Sequence, residues 1–232
     1  MKCIVLGDGL LGGEIVKQTG WDFLSRKIDG IDICNPYSYQ SKLLNYDVVI
    51  NCIAYTNTYS DNKEMNWNVN YKAVDDLITF CNKESKKLVH ISTDYLYAGS
   101  IDPASENDVP VHLGTWYGYT KLLSDGLVQL KSWNYLLCRL SHKPYPFPYE
   151  NAWTDMKTNG DYVNVISSLV IQLILNDSVG VFNVGTEEKT IYELALKTKN
   201  VVPILKPIGV PSNTLMNLTK IKKELNIYRE NN

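Results

Sequence analysis

Lys2-Cys3-Ile4-Val5-Leu6 runs directly into Gly7-Asp8-Gly9-Leu10-Leu11-Gly12, and Gly13-Glu14-Ile15-Val16-Lys17-Gln18 follows. An apolar strand, a glycine-rich turn and a helix, in that order, are the context of the G-x-G-x-x-G fingerprint that binds dinucleotides. Each glycine has a separate physical task. Gly7 permits a tight turn, Gly9 lets backbone approach a pyrophosphate, and Gly12 lets the helix pack closely on the strand. The helix N-terminus then presents free N–H groups to phosphate oxygens.

Working outward, Trp21-Asp22-Phe23-Leu24 reads as a second strand ending in Ser25-Arg26-Lys27. At this place a carboxylate favours NAD, and an arginine accommodates the 2′-phosphate of NADP. A hydroxyl and two cations without a carboxylate favour NADPH, with NADH as the alternative. Asp32-Ile33 lies in the loop that follows. Tyr46-Asp47-Val48-Val49-Ile50-Asn51 is a buried-type strand, and its C-terminal end places Ala54, Tyr55 and Thr56 along the cofactor crevice. Residues 67–82 form a helix with Val69, Ala73, Leu77 and Phe80 on one side, and Asn70 on it is positioned to brace the strand ends and is expected among the cofactor-binding residues. Lys86 to Ile91 is the next strand, ending in Ser92-Thr93-Asp94-Tyr95, with His90 read as a core residue.

A loop over 99–114 leads to the helix opened by Thr115-Trp116-Tyr117-Gly118-Tyr119-Thr120-Lys121, and Tyr135 to Leu140 is a further strand. Tyr117 and Lys121 stand one turn apart on one helix face. An ammonium near a phenol favours the phenolate, so Lys121 is expected to lower the pKa of Tyr117 and make it an acid/base for a carbonyl or alcohol oxygen.

Alternating strands and helices predict an α/β fold: a Rossmann-type, doubly wound parallel sheet over 1–140, covered on both faces. Pro144-Tyr145-Pro146-Phe147-Pro148 cannot continue a central strand or a helix. Residues 141–232 are therefore expected to form a small substrate-binding lobe partly interwoven with the sheet. It contains a helix over 164–175, a strand at Val181 to Gly185 and a helix capped by Thr190.

Composition narrows the function classes. The chain has 232 residues, 44% hydrophobic and 21% charged, enough for one α/β domain with a small appendage. A net charge of −2 speaks against nucleic acid or an anionic membrane surface as the main partner. Five scattered cysteines, odd in number and without zinc-ligand spacing, suit a reducing cytoplasm and no metal. The strand that starts at the N-terminus leaves no expected leader, and no apolar run approaches the ~20 residues of a membrane span.

Five segments carry a resemblance. They are Val49-Ile50-Asn51-Cys52-Ile53-Ala54-Tyr55-Thr56, Asn68-Val69-Asn70, Ile91-Ser92-Thr93-Asp94-Tyr95-Leu96-Tyr97, Glu106-Asn107-Asp108-Val109-Pro110 and Tyr117-Gly118-Tyr119-Thr120-Lys121. In this order the chain resembles the extended short-chain dehydrogenase/reductases, and within them the dTDP-4-dehydrorhamnose reductases and the UDP-rhamnose epimerase/reductases. The likeness continues more thinly through Gly180 to Gly185 and Pro211-Ser212-Asn213-Thr214.

The resemblance implies a catalytic set of Thr93, Tyr117 and Lys121. In it, Tyr117 protonates the sugar C4 oxygen, Lys121 holds the nicotinamide ribose, and Thr93 binds the same sugar oxygen as Tyr117. Asp94 and Tyr95 would line the sugar site, with Arg139 and His142 also on the substrate. Gly9, Leu10, Leu11 and Gly12 would carry the pyrophosphate, Ser25 and Arg26 the 2′-phosphate, and Asp32 and Ile33 the adenine. The chain departs from the family's G-x-x-G-x-x-G by one residue, which bears on Gly7, and its substrate lobe is short.

The implied reaction is reduction of a nucleotide-linked 4-keto-6-deoxyhexose by NADPH, with a nucleotide sugar as partner and a homodimer held open. Three alternatives stand beside it: a bifunctional 3,5-epimerase/4-reductase, an epimerase with bound NAD, and a non-catalytic cofactor-binding subunit. His142 and Lys143 fall on opposite sides of an extended chain, so one at most is expected to face the sugar.

Overall fold

The computed structural model describes residues 1–108 and 114–227. Val109 and Pro110 lie outside the described residues, as does the end of the lobe beyond 227.

The first half alternates as its patterning predicts: β1 (Cys3–Leu6), α1 (Leu10–Thr19), β2 (Asp22–Leu24), α2 (Arg26–Asp29) and β3 (Val48–Asn51). Then come α3 (Lys63–Trp67), a π-helical turn (Asn68–Lys72), α4 (Ala73–Lys83), β4 (Lys87–Thr93), α5 (Trp116–Lys131) and β5 (Tyr135–Leu140). The second half contributes β6 (His142–Lys143), β7 (Asn151–Trp153), β8 (Lys157–Thr158), β9 (Asp161–Tyr162), α6 (Val163–Leu175) and β10 (Gly180–Val184). It ends with β11 (Lys189–Thr190), α7 (Ile191–Leu196), β12 (Val202–Ile204) and α8 (Thr219–Glu224).

Six parallel strands form the central sheet in the order β10-β5-β4-β3-β1-β2. Chain direction across the sheet reverses at β1, because β2 lies on one side of it and β3 on the other. The carboxyl ends of β1 and β3 therefore splay apart into a crevice, the place where open α/β sheets bind ligands. Alternate strand residues feed two cores. Cys3, Val5, Val48 and Ile50 face the side covered by α1 and α6, and Ile4, Leu6, Val49 and Leu88 face the side covered by α4. Val69, Ala73, Leu77 and Phe80 are all buried against that second side.

Two local differences from the sequence reading have clear causes. The second strand stops at Leu24, because Ser25 is the N-cap of α2: its hydroxyl accepts from Ile28 N–H at 3.1 Å, and Asp29 returns the bond to Ser25 N–H at 2.8 Å. Ser25 and Arg26 thus begin a short helix rather than extend a strand. The long helix is not one regular element but passes through the π-helical turn around Asn70.

The tail returns to the sheet. β10 is its sixth strand, α6 packs on α1, and the remainder closes over a third cluster of Phe147, Ala152, Met156, Tyr162, Ile191, Leu194, Ala195 and Val210. Thr190 and Glu193 form a reciprocal capping box at the start of α7.

Between α5 and β5 lies a buried ion pair. Arg139 meets Asp125 with Nη2–Oδ1 at 2.7 Å and Nε–Oδ2 at 2.9 Å, at 2% and 1% exposure. Ser92 and Gln129 donate to the same carboxylate, and Arg139 also donates to Tyr97 and to the Glu106 carbonyl. Removing one member of such a pair costs about 3–5 kcal/mol, since the other is left charged and unpartnered. This pair anchors the helix that carries Tyr117 and Lys121 to the sheet.

Candidate active site

At the crevice the turn after β1 is shaped by contact. Gly7 has φ +98, and a Cβ on Gly12 would sit 2.1 Å from the Gly7 carbonyl oxygen. Only glycine at 12 lets α1 lie this close to β1. A Cβ on Gly9 would meet nothing within 4 Å, so there is open space over the turn, and no side chain caps the helix N-terminus behind it. Uncapped N–H groups facing open space suit a pyrophosphate.

The crevice continues into a cleft of about 530 Å³. One end is lined by Gly9, Leu10, Leu11, Cys52, Ala54 and Thr56, the other by Thr93, Asp94, Tyr95, Tyr117 and Lys121. The second half of the chain covers it with His142, Lys143, Trp153, Met156, Thr158 and Thr214.

Burial sets the protonation of these groups. Tyr117 is pushed up to about 12, first by burial, with a hydrogen bond to Thr93 lowering it and Asp94 raising it. This corrects the expectation that Lys121 lowers the phenol. The Lys121 Nζ instead donates to the Ile91 carbonyl at 2.7 Å, and burial brings it down to about 8 against the pull of Asp125 and Cys52. At neutral pH Tyr117 therefore keeps its proton and is poised as an acid. Asp94 is raised to about 6 by burial, although Thr214 donates to it at 2.6 Å and Thr93 and Thr158 stand at 3.4 and 3.5 Å. The Thr93 hydroxyl also accepts from Tyr95 N–H at 3.1 Å. It is thus fixed between the phenol and the carboxylate.

Several residues expected at the site are engaged within the fold or stand outside the lining of this cleft. Arg139 does not reach the sugar position, being consumed by Asp125. Asn70 is a brace rather than a cofactor ligand: its amide accepts from Tyr55 N–H at 2.8 Å and donates to the Tyr55 carbonyl at 3.0 Å. That contact shapes the β3 end from beneath, while Tyr55 turns its hydroxyl to Ser60. Ser25 is buried as a cap, and Ile33 is buried in the core. Asp32 accepts from Cys34 N–H in its own loop. Arg26 is exposed on the first turn of α2 and is not among the cleft's lining residues. Gly7 and Gly12 support the turn without lining the cleft.

His142 and Lys143 both line the cleft, against the expectation that one at most would do so. Lys143 also borders a neighbouring hollow walled by Phe147, Tyr149 and Trp153, so both faces of the two-residue β6 meet open space. Thr158 and Thr214 also line the cleft, and the sequence reading does not reach them as site residues. Thr214 lay within the thinner stretch of resemblance, and no local pattern marks Thr158.

A family model described as RmlD substrate binding domain matches residues 1–143. A dTDP-4-dehydrorhamnose reductase of Mycobacterium tuberculosis (strain CDC 1551 / Oshkosh) is 32% identical over 101 residues, which cover 41% of this chain and 33% of that protein. The enzyme of that name from Mycolicibacterium smegmatis is 28% identical over 177 residues, covering 72% of this chain and 50% of the relative. The matches thus span a third to a half of these relatives' length. Among solved structures, a dTDP-4-dehydrorhamnose reductase of Bacillus anthracis in complex with NADP superposes with a TM-score of 0.81 at 21% identity. That match covers 96% of this chain and 93% of the other, and shows a shared fold.

The acid side of the stability profile follows from His142. Burial, then Lys143, lowers it from 6.5 to about 4, and among the described residues its Nδ1 is buried without a hydrogen-bond partner. The folded chain binds this proton less well than the unfolded one, so His142 subtracts stability as pH falls from 6.5 towards 4. Asp94, raised from 3.8 to about 6, acts in the opposite direction over its own interval. Thermal melts across this range are expected to show a shallower acid loss in His142→Gln than in the parent. Parallel slopes would contradict the assignment.

Proposed function

The chain belongs to the RmlD substrate binding domain family, and on that premise we propose that it reduces the 4-keto group of a nucleotide-linked 4-keto-6-deoxyhexose with NADPH. The sugar nucleotide is of the dTDP- or UDP-rhamnose type. The observation that carries the reading is a protonated Tyr117, hydrogen-bonded to Thr93 and bordering a cleft that runs back to the glycine turn.

The residues present fit a dinucleotide: an open cradle at Gly9, an uncapped helix N-terminus and Lys121 beside Tyr117 on the wall of the same cleft. The dihydronicotinamide supplies the hydride when bound. Tyr117 gives its proton to the C4 oxygen as negative charge develops there, and Thr93 holds that oxygen in line. Lys121 holds the nicotinamide ribose. His142 borders the sugar's space, and Lys143 faces the same space with a charge suited to the diphosphate.

NADPH rather than NADH is supported by α2. The carboxylate nearest the end of β2, Asp29, is occupied in capping Ser25, whereas Arg26 and Lys27 are exposed. In this reading residues 1–140 hold the dinucleotide and 141–232 cover the sugar, with α6 and β10 returned to the sheet. The setting is a reducing cytoplasm, supported by five free cysteines. No described helix is long and apolar enough to cross a membrane.

A second reading adds 3,5-epimerisation before reduction. It is favoured by His142 and Lys143 both bordering the cleft, since inversion needs proton-transfer groups on two faces. Solvent deuterium at C3 and C5 of the product would mark it, and product free of it would leave reduction alone.

Tyr117→Phe keeps the ring and removes the acid. Turnover with NADPH and a 4-keto-6-deoxy sugar nucleotide is expected to fall by ~10²-fold or more, with cofactor affinity little changed. A variant turning over near the parent rate would contradict the role. Arg26→Ala is expected to weaken NADPH and leave NADH nearly untouched in fluorescence titrations, since only the 2′-phosphate loses a partner. Equal losses for both cofactors would make Arg26 structural.

A further inference from the structure

Behind the catalytic lysine lies a polar chain that the proposed reaction does not use. His90 on β4 is 1% exposed and lies in the middle strands of the sheet. Its Nδ1 is 3.3 Å from Asn51 Nδ2, and its Nε2 is 3.5 Å from Lys121 Nζ. The orientation of the Asn51 amide is set independently, because its Oδ1 accepts from Ile53 N–H at 3.1 Å. The Asn51 NH₂ therefore points at His90.

An amide NH₂ can only donate, so the His90 Nδ1 facing it must be an unprotonated acceptor. Burial holds His90 well below 6.5, so the ring is neutral. A neutral ring with a bare Nδ1 carries its hydrogen on Nε2, and that hydrogen faces Lys121. An ammonium would set donor against donor across this contact. An uncharged amine would accept from Nε2–H with its lone pair and still donate to the Ile91 carbonyl at 2.7 Å.

Resting on the reading of Lys121 given above, we propose that His90 is a positioning residue for it: Asn51 fixes the His90 tautomer, and the resulting Nε2–H favours the uncharged amine. The other titratable groups facing Lys121 are Asp125 and Tyr117 on its own helix and Cys52 after β3. Asp125 favours the ammonium but is neutralised by Arg139 at 2.7 Å. Cys52 is a thiol pushed up to about 12 by burial and carries no charge at neutral pH. Tyr117 likewise keeps its proton. His90 is thus the neighbour whose polarity opposes the ammonium, and the lowering of Lys121 to about 8, for which burial is the first cause, has the same direction.

The test reads Lys121 directly in the full chain, without cofactor or substrate. Its rate of acetylation by acetic anhydride is followed against pH by peptide mass spectrometry. His90→Gln can turn an amide oxygen towards the ammonium. Asn51→Asp can accept from Nδ1–H and so reverse the tautomer, leaving Nε2 as an acceptor. Both are expected to move the midpoint up by about one pH unit, a roughly tenfold fall in amine reactivity below the midpoint. Circular dichroism identifies the variants that fold, and either one suffices. A midpoint unchanged in every folded variant would overturn the proposal. Because no turnover is measured, this outcome is independent of whether the chain reduces a nucleotide sugar.

Discussion

A side chain at position 12 would bring its Cβ to 2.1 Å from the Gly7 carbonyl oxygen, a distance no packed atom tolerates. That one contact sets how α1 lies on β1, and much else depends on it. With α1 tight against the sheet, its uncapped N-terminus opens at the carboxyl end of β1, beside the end of β3. The reversal of strand order at β1 then makes the gap a crevice rather than a closed edge. α6 packs on α1 from the tail, so the second half of the chain is tied to the same contact. The cleft inherits its position from a missing methyl group.

Inside the cleft, desolvation outweighs local charge. Tyr117 moves to about 12, Lys121 to about 8, Asp94 to about 6 and His142 to about 4, each towards its neutral form. Burial disfavours the ionised form of acids and bases alike. The consequence for chemistry is specific: the phenol is an acid at neutral pH, matched to delivering a proton to an oxygen that gains negative charge. Fixed charge is placed instead at the ion pair of Arg139 and Asp125, where both partners are satisfied and neither faces the cleft.

What the sequence made legible was local. The strand, glycine turn and helix at the N-terminus could be read from residue types, as could the buried face of Val69, Ala73, Leu77 and Phe80 and the Thr190 cap. Such features depend on neighbours a few positions away. Arg139 could not be placed, because its partner Asp125 lies on another element and a lone arginine after a strand reads equally well as a phosphate ligand. Ser25 reads as a strand end because its capping partner Asp29 stands four residues on, and only the folded turn brings the two together. Thr158 and Thr214 meet Asp94 from 64 and 120 residues away, and nothing local announces such a meeting. The direction of the Tyr117 shift is hidden from the sequence for a related reason. Spacing on a helix shows that a lysine is near, but not that its ammonium is turned to a backbone carbonyl.

In the proposed reaction, a hydride from the dihydronicotinamide reaches the sugar carbon whose oxygen Tyr117 protonates. The most direct measurement uses NADPH carrying deuterium at both hydrogens of nicotinamide C4, incubated with the protein and dTDP- or UDP-linked 4-keto-6-deoxyhexose. Product NMR is expected to show one deuterium, at C4 of the sugar. Deuterium at another carbon, or reduced product without label, would contradict the account, as would absence of turnover with every such sugar nucleotide.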